Sequence, residues 1–113
     1  ALDVRLQVRV LAGRALAPKD RSGTSDPYVV VRVQEQEART KVAPKTLAPT
    51  WTDEQLTFEL GAVDVDFEVL RVDVWDKDMA KSDDFMGRVR VALRDVLGWA
   101  SGGGAPRWFA LER

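Results

Sequence analysis

The feature that most constrains this chain is an alternation of apolar and polar residues with period two, repeated along most of its length. LDVRLQVRVL places Leu2, Val4, Leu6, Val8 and Val10 on one face and Asp3, Arg5, Gln7 and Arg9 on the other. Successive side chains of a strand point to opposite faces, so such a segment reads as a strand with one wet side. The same alternation recurs in YVVVRV (28–33), in QLTFEL with Leu56, Phe58 and Leu60 inward, and in VLRVDVW with Leu70, Val72 and Val74 inward. It returns in GRVRVAL, where Val89, Val91 and Leu93 oppose Arg88 and Arg90, while ARTKV and RWFAL read as shorter strands. RDVLG (94–98) alone suits a short helical turn, and SGGGAP (101–106) reads as a loop. Seven short strands without long helices imply an all-β fold, an antiparallel Greek-key β-sandwich of two sheets with seven to eight strands.

A chain of 113 residues supports one core, so 1–113 reads as a single domain. It is 45% apolar and 31% charged with a formal charge of −1, which argues against disorder and against a general nucleic-acid-binding surface. There is no cysteine and no histidine. Disulfides, thiolate catalysis and cysteine or histidine metal sites are therefore excluded, and a reducing compartment fits. No apolar run approaches the ~18 residues that span a bilayer, and the N-terminus lacks a signal-peptide pattern. Beginning and ending at strand-like segments suits a module of a larger protein.

Charge is instead gathered locally. WDKDMAKSDDFMG (75–87) carries Asp76, Asp78, Asp83 and Asp84, and KDRSGTSDPY (19–28) carries Asp20 and Asp26. Aspartate favours turns because its side chain bonds nearby backbone N–H groups, which explains one or two per loop. Carboxylates about 4 Å apart at an effective dielectric near 20 repel by roughly 4 kcal/mol per pair, so a positive partner is needed among them. Lys19, Arg21, Lys77 and Lys81 are interleaved, yet exposed ion pairs contribute only about 0 to 1 kcal/mol. A hard divalent cation is the stronger candidate, and calcium, with roughly six to eight oxygen ligands, suits two converging acidic loops. An EF-hand does not fit: counting from Asp76, the fifth position is Ala80, the required glycine is Lys81, and the bidentate twelfth is Gly87.

SGTSDPYVVVRV, ARTKVAPKTLAPTWTDEQLTFEL, VWDKDMAKSDDFMG and the terminal RWFAL together resemble a C2 domain of the kind found in synaptotagmins and conventional protein kinase C. The resemblance covers nearly the whole chain. It implies that Asp20, Asp26, Asp76, Asp78 and Asp84 are side-chain ligands for two or three calcium ions, with backbone carbonyls of Lys19, Lys77 and Ser82 completing the shell. Asp76 and Asp78 would bridge ions, and Asp83 falls beside the pattern. Lys81 stands where the family often has a serine or threonine ligand, a departure that bears on the outermost ion. The implied function is calcium-dependent binding to anionic phospholipid, phosphatidylserine above all. Arg21, Lys77 and Lys81 would attract the headgroups and Met79 would reach into them, and the parent protein would be recruited from the cytoplasm to the cytoplasmic face of a membrane.

The family's phosphoinositide groove corresponds here to Tyr28, Arg32, Arg39, Lys41 and Trp75, with Val30 where lysine is frequent and Asp83 where asparagine is frequent. Lys45 adds general attraction to anionic surfaces. Trp51 and Trp108, at strand starts, are expected to pack against the sandwich, Trp99 is open to either reading, and Pro27 and Pro49 read as strand-entry and turn prolines. The family fold has eight strands, and the eighth is expected at the C-terminus. Two other functions compete with membrane targeting. One is a calcium-independent protein-interaction module using the basic strand face. The other is a metal-assisted hydrolase, disfavoured because no nucleophile stands beside a base and no glycine-rich phosphate loop is present. The reading is of a non-enzymatic module.

Overall fold

The computed structural model describes residues 2–113, and the expected inward side chain of Leu2 lies outside the described residues. Strands β1 (Leu2–Arg9), β2 (Pro27–Val33), β3 (Gln36–Arg39), β4 (Gln55–Val63), β5 (Val69–Asp76) and β6 (Asp84–Ala92) are followed by helix α1 (Leu93–Ser101). They form two antiparallel sheets, β1-β4 and β3-β2-β5-β6. This is the sandwich that period-two patterning requires: each sheet hides one face against the other. Leu6, Val29, Val31, Phe58, Leu60, Leu70 and Val74 fill the space between the sheets, while Arg5, Thr57 and Glu59 stay outside. Among the described residues no helix is long and apolar enough to cross a membrane.

Four expectations change. The strand expected over 38–42 is β3, ending at Arg39, because the buried Thr40 hydroxyl takes the Val29 N–H at 3.0 Å and the Lys41 N–H goes to Glu54 at 3.1 Å. The chain therefore leaves the ladder just after Arg39. The short turn over 94–98 is a nine-residue helix. Its first residue, Leu93, is wholly buried, and it is closed by Gly104 donating to the Trp99 carbonyl at 2.8 Å, with φ of 104° and 64° at Gly103 and Gly104.

The third change concerns RWFAL, which forms no strand; only one bridge, Arg88 with Glu112, ties that segment to β6. Gly87 makes the bridge possible, since a Cβ there would lie 2.8 Å from Leu111 Cβ. Residues 107–110 pair with no described strand, and six strands are present among the described residues rather than seven or eight. A groove of about 1130 Å³ runs from β1 to this segment, lined by Leu6, Val8, Val91, Val96, Trp99 and Phe109 among others. Last, Trp108 does not pack into the sandwich: it is 58% exposed, with the Arg14 guanidinium 4.1 Å from its ring centre. Trp51 is buried as expected and donates from Nε1 to the Lys41 carbonyl at 2.9 Å.

Candidate functional site

The two acidic loops leave neighbouring strand ends. β2 begins at Pro27 and β5 ends at Asp76, and these two residues are paired across the ladder. The Asp26 N–H reaches Asp76 Oδ1 at 2.7 Å, and the Lys77 N–H returns to the Asp26 carbonyl at 3.0 Å. Ser25, fully buried, shapes the first loop: its Oγ accepts from the Lys19 N–H at 3.0 Å and donates to the Ala17 carbonyl at 2.8 Å. Asp20 is turned back by its own N–H to the Thr24 carbonyl at 2.9 Å. On the far side, the Lys45 N–H binds Asp26 Oδ1 at 2.8 Å. The result is that Asp20, Asp26 and Asp76 each present a carboxylate oxygen, all within 4.8 Å of one another.

Among the described residues, no ammonium or guanidinium group pairs with this trio. Partial burial, shared hydrogen bonding with Asp26 and the charge of Asp76 push the Asp20 carboxyl up to about 6 from an ordinary 3.8. Asp76 is wholly enclosed, and its Oδ2 has no hydrogen-bond partner. A buried carboxylate oxygen without a donor is costly unless a cation meets it. Three carboxylates, without nitrogen or sulfur donors, form an all-oxygen set suited to a hard divalent ion, and calcium's flexible geometry tolerates their spread. The residues present fit calcium.

The other expected ligands are placed differently. Asp84 faces Asp76 across the β5–β6 ladder, yet its Oδ1 lies 3.7 Å from Lys81 Nζ. Asp78 Oδ1 accepts the N–H groups of Ala80 at 2.8 Å and Lys81 at 3.2 Å, a turn that the aspartate itself closes. Neither belongs to the compact trio. Lys19 and Lys77 sit in the backbone beside Asp20 and Asp76, and Ser82 lies exposed in the second loop. Arg21, Lys81 and Met79 are exposed in these loops, Met79 at 92%.

Asp83 has a role the spacing did not reveal. It takes the Tyr28 hydroxyl on Oδ2 and the Asp78 N–H on Oδ1 at 2.9 Å, bracing the second loop against β2. Those two donors hold its carboxyl below the usual range, and burial with the Asp83 bond pushes the Tyr28 phenol up to about 12. Register carries Tyr28, Arg32, Arg39 and Trp75 onto one face of the larger sheet, while Lys41 lies past the end of β3. That face is partly self-neutralised. Glu37 pairs with Arg32 at 2.6 Å and with Arg39 at 3.3 Å, and Asp73, on an outward position yet buried, is held by Arg88 at 2.6 Å with Arg71 3.5 Å away. Sequence alternation put Arg88 outside but could not show Asp73 opposite it. Phe85 also joins the face, edge-on to Trp75 with ring centres 5.3 Å apart.

Fold and site together define a class: a small antiparallel sandwich with an acidic pole built on strand ends. The sequence matches the C2 domain family over residues 4–111, and the chain belongs to that family. It is 43% identical over 94 residues to a C2 and GRAM domain-containing protein of Arabidopsis thaliana, covering 83% of this chain and 9% of that protein. It is 36% identical over 113 residues to extended synaptotagmin-1 of Mus musculus, covering 95% of this chain and 10% of that protein. Among solved structures, the calcium-bound pair of C2 domains of extended synaptotagmin 2 aligns with a TM-score of 0.71 at 27% identity, covering 83% of this chain and 36% of that one. A C2 domain of RIM from Drosophila aligns at 0.70 with 25% identity, covering 81% and 77%. The chain thus spans about a tenth of the length of the curated relatives it matches.

Proposed function

We propose that this domain is a calcium-dependent, non-catalytic module that carries its parent protein from the cytoplasm to anionic membranes, with phosphatidylserine as the principal lipid. The observation that carries the reading is the unpartnered, fully buried Oδ2 of Asp76 inside a trio of carboxylates. Asp20, Asp26 and Asp76 would hold the first ion, and Asp78 and Asp84 would share a second, with carbonyls of Lys19, Lys77 and Ser82 in support. The bound ions supply positive charge at a pole that otherwise repels anionic headgroups, and present open coordination positions to lipid oxygens. Arg21 and Lys77 then meet lipid phosphate, each basic residue near the surface adding about 1 kcal/mol, and Met79 is exposed to enter the headgroup layer. Calcium and lipid strengthen each other because each favours the same neutralised pole. Tyr28, Arg32, Arg39, Lys41 and Trp75 would add phosphoinositide contacts, weakened where Glu37 already occupies both arginines.

Sedimentation with phosphatidylserine vesicles tests this. Pelleting is expected in calcium and lost in chelator, and lost again in the Asp76→Asn, Asp78→Asn double variant. Pelleting unchanged across those conditions refutes the reading and favours the calcium-independent interaction module.

A further inference from the structure

We propose that Lys81 is a tethered cation that occupies the outer half of the acidic pole, so that an outer divalent ion binds only by displacing it. The inference rests on the calcium reading above. Its basis is an asymmetry between carboxylates that the sequence presents as equivalent. Asp20, Asp26 and Asp76 converge with one buried oxygen unpartnered, whereas Asp84, directly across the ladder from Asp76, has an ammonium 3.7 Å from its Oδ1. The tether is short and fixed. Asp78 clamps the Lys81 backbone through its N–H, and the side chain then reaches three residues along to Asp84.

A lysine ammonium and a divalent ion repel at such separations, so both cannot occupy that side of Asp84. The chain loads its inner position first. Lys81 is 67% exposed and Asp84 34%, so the pair is weak and releasable: it lowers outer-ion affinity by no more than roughly fivefold. Once displaced, the ammonium stands at the tip beside the exposed Met79, free for an anionic headgroup. Anionic lipid, by stabilising the displaced Lys81, therefore promotes the outer ion in this chain beyond what open coordination sites would do. Lys77 serves as a built-in comparison. It lies 3.9 Å from Asp83, a carboxylate already committed to Tyr28 and the Asp78 N–H, and so does not block the ion position.

Calorimetric calcium titration of the protein, Lys81→Gln and Lys77→Gln, with and without phosphatidylserine vesicles, tests the idea. Both variants lose one positive charge near the cluster, so general electrostatics changes them alike. The tether predicts that, without vesicles, Lys81→Gln alone gains a further several-fold in the second, weaker binding event with the first unchanged. It also predicts that vesicles strengthen the second event more in the unaltered protein than in Lys81→Gln. Equal tightening in both variants, or an equal vesicle effect, overturns it. Absence of any calcium binding by the unaltered protein instead overturns the calcium reading itself, and the two failures are distinct.

Discussion

On the calcium reading proposed above, the raised Asp20 carboxyl would make ion binding a proton-releasing event with a calculable size. An aspartate must be ionised to ligate a metal, so whatever fraction of Asp20 is protonated beforehand leaves as free proton. With its pKa at about 6, Asp20 is about half protonated at pH 6 and about one-tenth protonated at pH 7, so the inner ion releases about half a proton at the lower pH. Apparent affinity for that ion falls about twofold from pH 8 to pH 6, and about tenfold by pH 5. The same proton sets the sign for stability. A folded-state pKa above the ordinary 3.8 means the metal-free fold binds this proton more tightly than the unfolded chain does. Its contribution is present below pH 3.8 and is lost as pH rises to about 6, so chelation destabilises the protein more at pH 7 than at pH 5. Titration calorimetry at pH 6 in two buffers of different ionisation heat counts the proton directly. Asp76→Asn removes a charge that raises Asp20 and should lower the Asp20 pKa. A proton count near zero at pH 6, with affinity flat between pH 8 and 5.5, would refute the account of a crowded, uncompensated trio.

Four further outcomes follow from the packing. Tyr28→Phe removes the hydroxyl that braces Asp83 and should cost about 1 kcal/mol in a denaturant titration. In the unaltered protein, absorbance of the phenolate should report its ionisation near pH 12, with stability falling between pH 10 and 12. Leu93→Ala empties a wholly buried position under α1 and should cost about 2 to 5 kcal/mol while leaving the calcium affinity of the folded protein unchanged. Gly87→Ala places a methyl group 2.8 Å from Leu111 Cβ at a residue with φ of 154°, so the bridge to Glu112 should open, and a change in tryptophan fluorescence from Trp108 would show it.

The strands and the two acidic loops were readable because each rests on local pattern: alternation over six or more residues, and aspartates clustered within a single connection. Thr57 and Glu59 lie outside and Leu56, Phe58 and Leu60 inside, as period two demands. What escaped was cross-strand register. Asp73 sits at an outward position and is nonetheless buried, because register sets Arg88 opposite it and Arg71 beside it. Asp83 looked like a surplus acid until the fold brought the Tyr28 hydroxyl, 55 residues away in sequence, onto it. RWFAL carries strand propensity, yet its link to the edge strand β6 stops at the single Arg88–Glu112 bridge, and Trp108 follows that segment to the surface.

The same distinction between strand end and loop divides the site's chemistry. Asp26 and Asp76 are fixed by the Pro27–Asp76 pairing and by the Asp26 N–H on Asp76, so their closeness is held by the sheet rather than by the ion. Bringing such charges together works against folding by several kcal/mol for close pairs at an effective dielectric near 20, and the sandwich core must offset it. Asp26 and Asp76 each accept one backbone N–H, yet Asp76 Oδ2 is left without a donor, whereas Asp78, Asp83 and Asp84 are met by backbone N–H groups, the Tyr28 hydroxyl and the Lys81 ammonium. On the proposed reading, an ion at the inner position would relieve repulsion already present, whereas one at the outer position would first have to undo contacts the loop makes for itself. Inner affinity would then follow the rigidity of β2 and β5, and outer affinity the sequence of residues 77–84. Loop substitutions such as Lys81→Gln should consequently shift the second binding event alone, while changes at Ser25, which shapes the turn carrying Asp20, should shift the first.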